Sequence, residues 1–193
     1  MARDRTGWAL GFEDEVWFSR FAQPALHAWM SPGERLHLEM RAADKDDSEP
    51  KALACYGLWL PERERMLLRF VERRPVSSVT CAFLAWAAER LAAEGVQVLA
   101  LVWDNAGWHV SREVRAWIGN HNRQAKAAGV GCRFLVCRLP SRSPWLNPIE
   151  PRWAHGKRAV VEPERKLTGE ELQQRLCQHY HCPILPPLAQ PVA

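Results

Sequence analysis

The stretch Val96-Gln-Val-Leu-Ala-Leu-Val-Trp-Asp-Asn-Ala-Gly-Trp-His109 sets the architecture. From Val96 to Trp103 it is almost continuously apolar. A strand covered on both faces reads this way, because a parallel sheet flanked by helices buries both sets of alternating side chains. Asp104 ends the run, and Asn105 with Gly107 supplies turn chemistry. A carboxylate at the carboxyl end of a central parallel strand occupies the place where open α/β sheets gather their functional groups.

Working outward, helical spacing of Thr80, Leu84, Ala87, Ala88 and Leu91 precedes this strand. Ser77 and Ser78 are the expected N-caps and Gly95 the stop. Downstream, Ser111 is the expected cap of a helix through Val114, Trp117, Ile118 and Ala125 to Gly129, and Cys132 to Leu139 forms another apolar strand. Asn147 and Pro148 are read as opening a helix, and Thr168 with Glu171 as the capping box of a last helix to about His181. Upstream, Thr6–Ser19, Ala52–Leu60 and Met66–Glu72 read as strands with no helix between them, which predicts an antiparallel meander. A charged loop, Arg41 to Lys51, separates the first two.

The expected order is βββαβαβα with a further helix. We therefore expect an α/β protein with a mixed five-stranded sheet, three antiparallel strands then two parallel, flanked by helices. Residues 1–182 read as one domain, followed by an irregular Pro-rich tail over 183–193.

The chain has 193 residues, 47% apolar and 25% charged, which is ordinary for a globular protein. Its net charge of +4 is unevenly placed. From Ser111 to Lys166 there are twelve Lys/Arg against four acids, so the remainder is net acidic. Such a basic half suits an anionic partner, most simply nucleic acid. Ten tryptophans are many; most should pack in the core, and an exposed subset suits stacking on bases. No apolar window is long enough for a membrane span, and the first residues lack the apolar core of a signal peptide. Six cysteines without a Cys-x-x-Cys pair fit reduced thiols in a cytoplasmic protein. Cys177, His179, His181 and Cys182 match no standard zinc spacing.

Three acids stand out: Asp14 in Gly11-Phe-Glu-Asp-Glu-Val-Trp-Phe18, Asp104, and Glu150 in Ser143-Pro-Trp-Leu-Asn-Pro-Ile-Glu150. Carboxylates beside apolar strands are costly unless something pairs with them. Two divalent metals about 3.5–4 Å apart can stabilise both the attacking and leaving oxygens of a phosphodiester, and Mg²⁺ needs few carboxylates because it keeps several waters. Each acid also has a plainer reading. Asp14 sits between Glu13 and Glu15, which alternation puts on the opposite face and some of which are expected at the surface. Asp104 can serve a turn, and Glu150 at N3 can serve the cap. His109 can orient a phosphate or water, or be structural. Arg138, Arg142, Lys157 and Arg158 suit phosphate contacts, with simple solvent exposure as the alternative.

These motifs resemble the DDE-type transposases of the mariner-like superfamily, specifically the bacterial insertion-sequence branch. The resemblance rests on Asp14-Glu15, Asp104-Asn-Ala-Gly-Trp-His109 and Ser143-Pro-Trp-Leu-Asn-Pro-Ile-Glu150 followed by Trp153 and a basic run. It extends from about Trp8 to Tyr180. It implies a ribonuclease H-like fold and a catalytic, metal-binding triad of Asp14, Asp104 and Glu150 holding two Mg²⁺ or Mn²⁺ ions. Asn105, His109 and Asn147 match recurrent supporting positions; Arg138, Arg142, Trp145, Lys157 and Arg158 are the expected DNA contacts. The implied activity is cleavage at the ends of a mobile element and transfer of the freed 3′-hydroxyl to target DNA, by a dimer on paired ends. The implied location is cytoplasmic, on the nucleoid.

The sequence departs from the pattern twice. The 45 residues between Asp104 and Glu150 exceed the usual interval, with the surplus around Asn120 to Gly131. The helix-turn-helix domains that read element ends are absent from these residues; they are expected to be encoded separately, lost, or outside this piece. Two other functions follow from the same residues: an inactive remnant that binds DNA or a partner transposase, and a ribonuclease H-like resolvase or nuclease. No Gly-x-x-x-x-Gly-Lys loop supports a nucleotide-binding enzyme.

Overall fold

A computed structural model describes residues 6–23, 31, 33, 42–141, 143–162 and 164–189. Its strands are β1 (Trp8–Ser19), β2 (Ala52–Leu60), β3 (Arg65–Val71), β4 (Val98–Trp103) and β5 (Arg133–Arg138). The helices are α1 (Ser77–Ala93), α2 (Arg112–Ala128), α3 (Glu150–Ala159) and α4 (Gly169–His179). The strands form one sheet in the order β3-β2-β1-β4-β5. The β1–β2 and β2–β3 pairs are antiparallel, and β1–β4 and β4–β5 are parallel. This is the mixed sheet expected from the sequence, with β4 in the interior and buried at all but one position.

The β1–β4 register fixes the geometry of the site. Its pairs run from Trp8 opposite Val98 to Phe12 opposite Val102. Carried two residues further, the same register lines up Asp14 with Asp104. The register thus directs two acids ninety residues apart in sequence toward the same end of the sheet.

Helices cover both faces of the sheet. On one, α1 and α2 bury Phe83, Leu84, Leu91, Val114 and Ile118 against Tyr56, Leu58, Leu99, Leu101 and Trp103. On the other, α3 and α4 bury Trp153, Leu172 and Leu176 against Val16, Phe18, Cys55, Leu68 and Phe70. Burying a Leu or Phe side chain is worth about 1.5–3 kcal/mol, so these two layers hold the helices to the sheet.

Two helix starts are capped as expected and two are not. Ser111 caps α2 through its hydroxyl, which accepts from Val114 N at 3.1 Å, and Gly129 closes that helix in the left-handed conformation at φ +69°. Thr168 and Glu171 form the expected capping box of α4. For α1, by contrast, the N-cap is Val76, with no side-chain cap, and Ser77 already lies inside the helix. The helix near the third acid also begins later than Asn147 predicts: Ile149 is its N-cap and Glu150 its first residue. The Asn147–Glu150 segment is a turn, closed by a bond from Glu150 N to Asn147 O at 3.1 Å.

The sheet margins carry two further features. Leu188 bridges to Val71 beside β3, donating to Phe70 O and accepting from Glu72 N, and its side chain is buried. At the other margin, the Asn122 amide pairs with both the N–H and the carbonyl of Phe134 in β5, each at 2.8 Å. Five of the six cysteines are buried or half-buried, all six are free thiols, and Cys137 is exposed. Among the described residues no helix is long and apolar enough to cross a membrane.

Candidate active site

Asp14, Asp104 and Glu150 line one cavity of about 370 Å³, together with Asn105, Ala106, Leu139, Pro140, Ser141, Ser143 and Asn147. Asp14 comes from β1, Asp104 from the residue after β4, and Glu150 from the first turn of α3. Asn105 ties the loops after β4 and β5 together by donating to Leu139 O at 2.7 Å. Asn147 is buried; its amide donates to Glu13 O and its oxygen accepts from Ile149 N, both at 3.4 Å. Asn147 thus anchors the turn before α3 to β1, a different task from capping the helix.

A glycine and a tryptophan set the position of α3. Gly57 in β2 pairs with Asp14 in β1. An added Cβ at Gly57 would lie 2.2 Å from Cη2 of Trp153, so only a glycine lets the indole lie against the sheet. Trp153 Nε1 then donates to Asp14 Oδ2 at 3.0 Å. Glu150 precedes Trp153 by about one helical turn, so the contact that seats the indole also brings Glu150 to the cavity.

The electrostatics of Asp14 are unfavourable for a bare carboxylate. Burial pushes its pKa up, and the charges of Glu15 and Glu150 push it further, to about 7, against the Trp153 donor that favours ionisation. Asp104 behaves in the opposite way. The His109 hydrogen bond holds its carboxyl below the ordinary range, with help from Ala106 N and against partial burial.

His109 does not face the cavity. It is buried, stacked on Trp103 with ring centroids 4.5 Å apart, and donates from Nδ1 to Asp104 Oδ1 at 2.8 Å. Its Nε2 lies 3.0 Å from Glu15 Oε1, which also accepts from Trp108 Nε1 at 2.7 Å. Glu13 and Glu15 lie on the face opposite Asp14, as alternation requires, but neither is a surface acid. Glu13 is fully buried and the Glu15 side chain is 4% exposed. With carboxylates at both ring nitrogens the imidazole carries both protons: burial disfavours its charge, but Glu13, Asp104 and Glu15 outweigh burial and push its pKa up to about 11. Glu13 Oε2 sits 3.2 Å from Nε2, an ion-pair distance, yet neither Glu13 oxygen completes a hydrogen bond. Burial raises the Glu13 carboxyl well above its usual range.

This buried Glu13–Glu15–His109 group was not read from the sequence as a unit. Its signal was two acids at i and i+2 on a strand, facing away from the third. Among the described residues it is the one cluster of three or more His, Cys or acidic side chains whose ligand atoms all lie within 4.8 Å. Cys177, His179, His181 and Cys182 do not form such a cluster; Cys177 Sγ contacts Pro183 O and Cys182 Sγ contacts Met66 O.

Those basic and aromatic candidates that lie among the described residues stand outside the cavity lining. Arg138, Lys157 and Arg158 are exposed, and Trp145 is 74% exposed in the 3-10 turn, Pro144–Leu146, that precedes Asn147. Arg142 lies outside the described residues.

The donor set suits a hard divalent cation. The cavity offers carboxylate and amide oxygens, and among the described residues no Lys or Arg lines it to compensate the charge of Asp14. Mg²⁺ and Mn²⁺ prefer such oxygen ligands.

The family comparisons agree with this geometry. Residues 9–173 match the DDE superfamily endonuclease family. The fold is similar to the Mos1 transposase paired-end complex with left transposon end, at a TM-score of 0.66 and 16% identity, covering 94% of this chain and 50% of that one. It is similar to the Mos1 mariner paired end complex with Mn, at 0.63 and 15%, covering 91% and 49%. For the catalytic domain of Mos1 mariner transposase the values are 0.56 and 13%, covering 91% and 71%. The chain thus spans about half the length of the transposase chains in those two complexes. No curated protein sequence gave a significant match. With a five-stranded ribonuclease H-like sheet and a match over most of its length, the chain belongs to the DDE superfamily endonucleases.

Proposed function

We propose that this chain is the catalytic domain of a metal-dependent DNA transposase, which cleaves phosphodiesters at element ends and transfers the 3′-hydroxyl to target DNA. The observation that carries this reading is the convergence of Asp14, Asp104 and Glu150 on one cavity from three separate elements. Asp14, Asp104 and Glu150 would hold two Mg²⁺ or Mn²⁺ ions, with Asn105 and Asn147 supporting the loops around them. Such ions supply Lewis acidity toward the attacking and leaving oxygens of a phosphodiester.

The chain's own contribution is placement. Asp14 and Asp104 are fixed by neighbouring parallel strands, whereas Glu150 sits at a helix start beside a turn and has more freedom to adjust. Arg138, Lys157, Arg158 and Arg142 are proposed to contact phosphates, and the exposed Trp145 to stack on a base at the cavity rim. The Mos1 matches include transposase–DNA complexes, which supports DNA as the partner. Assembly as a homodimer on DNA, a separately encoded helix-turn-helix part and a nucleoid location belong to the same proposal.

The test is nicking of element-end duplex in the presence of Mg²⁺ or Mn²⁺. Activity should appear with either ion, vanish with EDTA, and fall at least ~10²-fold in Asp104→Asn and in Glu150→Gln. Undiminished nicking by either variant refutes the assignment. Preferential cleavage of an RNA–DNA hybrid or branched DNA would move the function to a nuclease or resolvase.

A further inference from the structure

We propose that Glu15 is a positioning residue that acts on Asp104 through His109, so that Asp104 offers a single oxygen to the ion site. The proposal rests on the metal-site reading above, and its test separates the two.

Asp104 is half exposed, with 53% of its side chain accessible, and follows the last strand residue, so nothing in the backbone ladder fixes its rotamer. Its orientation comes from two donors on one oxygen. Oδ1 accepts from His109 Nδ1 and from Ala106 N, each at 2.8 Å. With Oδ1 engaged on the inner side, Oδ2 is the oxygen that receives no donor from the described residues. The carboxylate is thereby set for one-oxygen ligation, which suits the octahedral demands of Mg²⁺ and Mn²⁺ better than a two-oxygen bite.

His109 can do this only if its ring is fixed about its own bonds. Stacking on Trp103 at an interplanar angle of 9° sets the ring plane. It does not set the in-plane orientation, since flipping the ring exchanges a nitrogen for a carbon. Glu15 removes that ambiguity. Its Oε1 accepts from His109 Nε2 at 3.0 Å, is itself held by Trp108 Nε1 at 2.7 Å, and is a rigid, strand-borne acceptor. The connected order is therefore Trp108, Glu15, His109, Asp104. It runs beneath the sheet from the face opposite Asp14 to the rim of the cavity. An outer-shell carboxylate that orients a liganding group through an imidazole typically changes metal affinity by ~10–100-fold when removed.

The experiment measures Mn²⁺ affinity of the full chain by electron paramagnetic resonance, with near-ultraviolet circular dichroism to confirm folding. Glu15→Ala should weaken binding ~10–100-fold. His109→Phe keeps the stack but loses both nitrogens, and should weaken it as much. His109→Asn places an amide N–H near the position of Nδ1 and cannot reach Glu15, so it should recover most of the affinity. Adding Glu15→Ala to His109→Phe or to His109→Asn should cost little more, because both act along one connection. Additive losses, or an Asn variant no better than Phe, would overturn the proposal. If Glu15→Ala does not fold, the near-isosteric Glu15→Leu takes its place, with the same loss expected and an unchanged affinity overturning the proposal. Wild-type binding with unchanged affinity in the Glu15 variant sinks the positioning role alone; no Mn²⁺ binding by the wild type sinks the ion site and this inference together.

Discussion

Asp14→Asn is expected to make the ion-free protein more stable while removing its capacity to hold a cation. In the fold the Asp14 carboxyl is pushed up to about 7, first by burial and then by the charges of Glu15 and Glu150. The unfolded chain ionises it near ~3.9. A carboxyl whose folded pKa is raised contributes fully below the unfolded value and loses that contribution as pH rises through the folded one. A difference of roughly three pH units corresponds to about 4 kcal/mol against folding at about pH 8. The site opens to solvent, which screens the charge, so we take about half, ~2 kcal/mol. For a chain of this size each kcal/mol moves Tm by about 2–4 °C, which predicts a rise of ~4–8 °C. The asparagine still accepts from Trp153, so the indole contact survives. Thermal unfolding in EDTA at about pH 8 and about pH 5 checks the magnitude. The gap between variant and wild type should narrow on acidification, as the folded carboxyl regains its proton. Saturating Mn²⁺ should reverse the order, since a ligand at ~100 times its Kd adds about 2.7 kcal/mol to the wild type only. A variant no more stable than wild type in EDTA at about pH 8, or a gap that persists at about pH 5, refutes the reasoning.

Two further substitutions probe the seating of α3. Gly57→Ala forces Trp153 from its place on β2 and should cost about 1–3 kcal/mol in urea unfolding, with weakened Mn²⁺ binding because Glu150 moves with the helix. Trp153→Phe keeps most of the packing but removes the donor to Asp14 Oδ2. The pH at half-maximal Mn²⁺ binding should therefore rise by about one unit; no rise would mean that the indole N–H does not stabilise the carboxylate.

The strands and their neighbours were legible because burial writes itself into local pattern. The apolar run to Trp103 announced β4, and the absence of a helix between the first three strands announced their meander. The positions of Asp14 and Asp104 on adjacent parallel strands followed from that order. Long-range pairings were less legible. Alternation placed Glu13 and Glu15 correctly on the far face of β1, but a period of two says nothing about what covers a face. Only the chain's return after Asp104 brings His109 and Trp108 onto it and turns two apparent surface acids into buried ones. Asn147 read as a helix cap because Asn-Pro is common cap chemistry, yet its amide was needed to reach Glu13 O across 134 residues of sequence. Gly57 carries no signal in its own strand, since its reason is a ring from residue 153. Ser77 failed as a cap because the extended Val76 already enters the helix with its own backbone.

The plugs at the two borders of the sheet have a bearing on how copies of this protein can meet. Leu188 occupies hydrogen-bonding groups beside β3, and the Asn122 amide imitates a neighbouring strand along β5. Open borders invite strand-to-strand annealing between molecules, a hazard for any protein concentrated on one nucleic acid. With a stopper at each end, continuation of the sheet into a second copy is obstructed, so contact between copies is steered toward helices and loops.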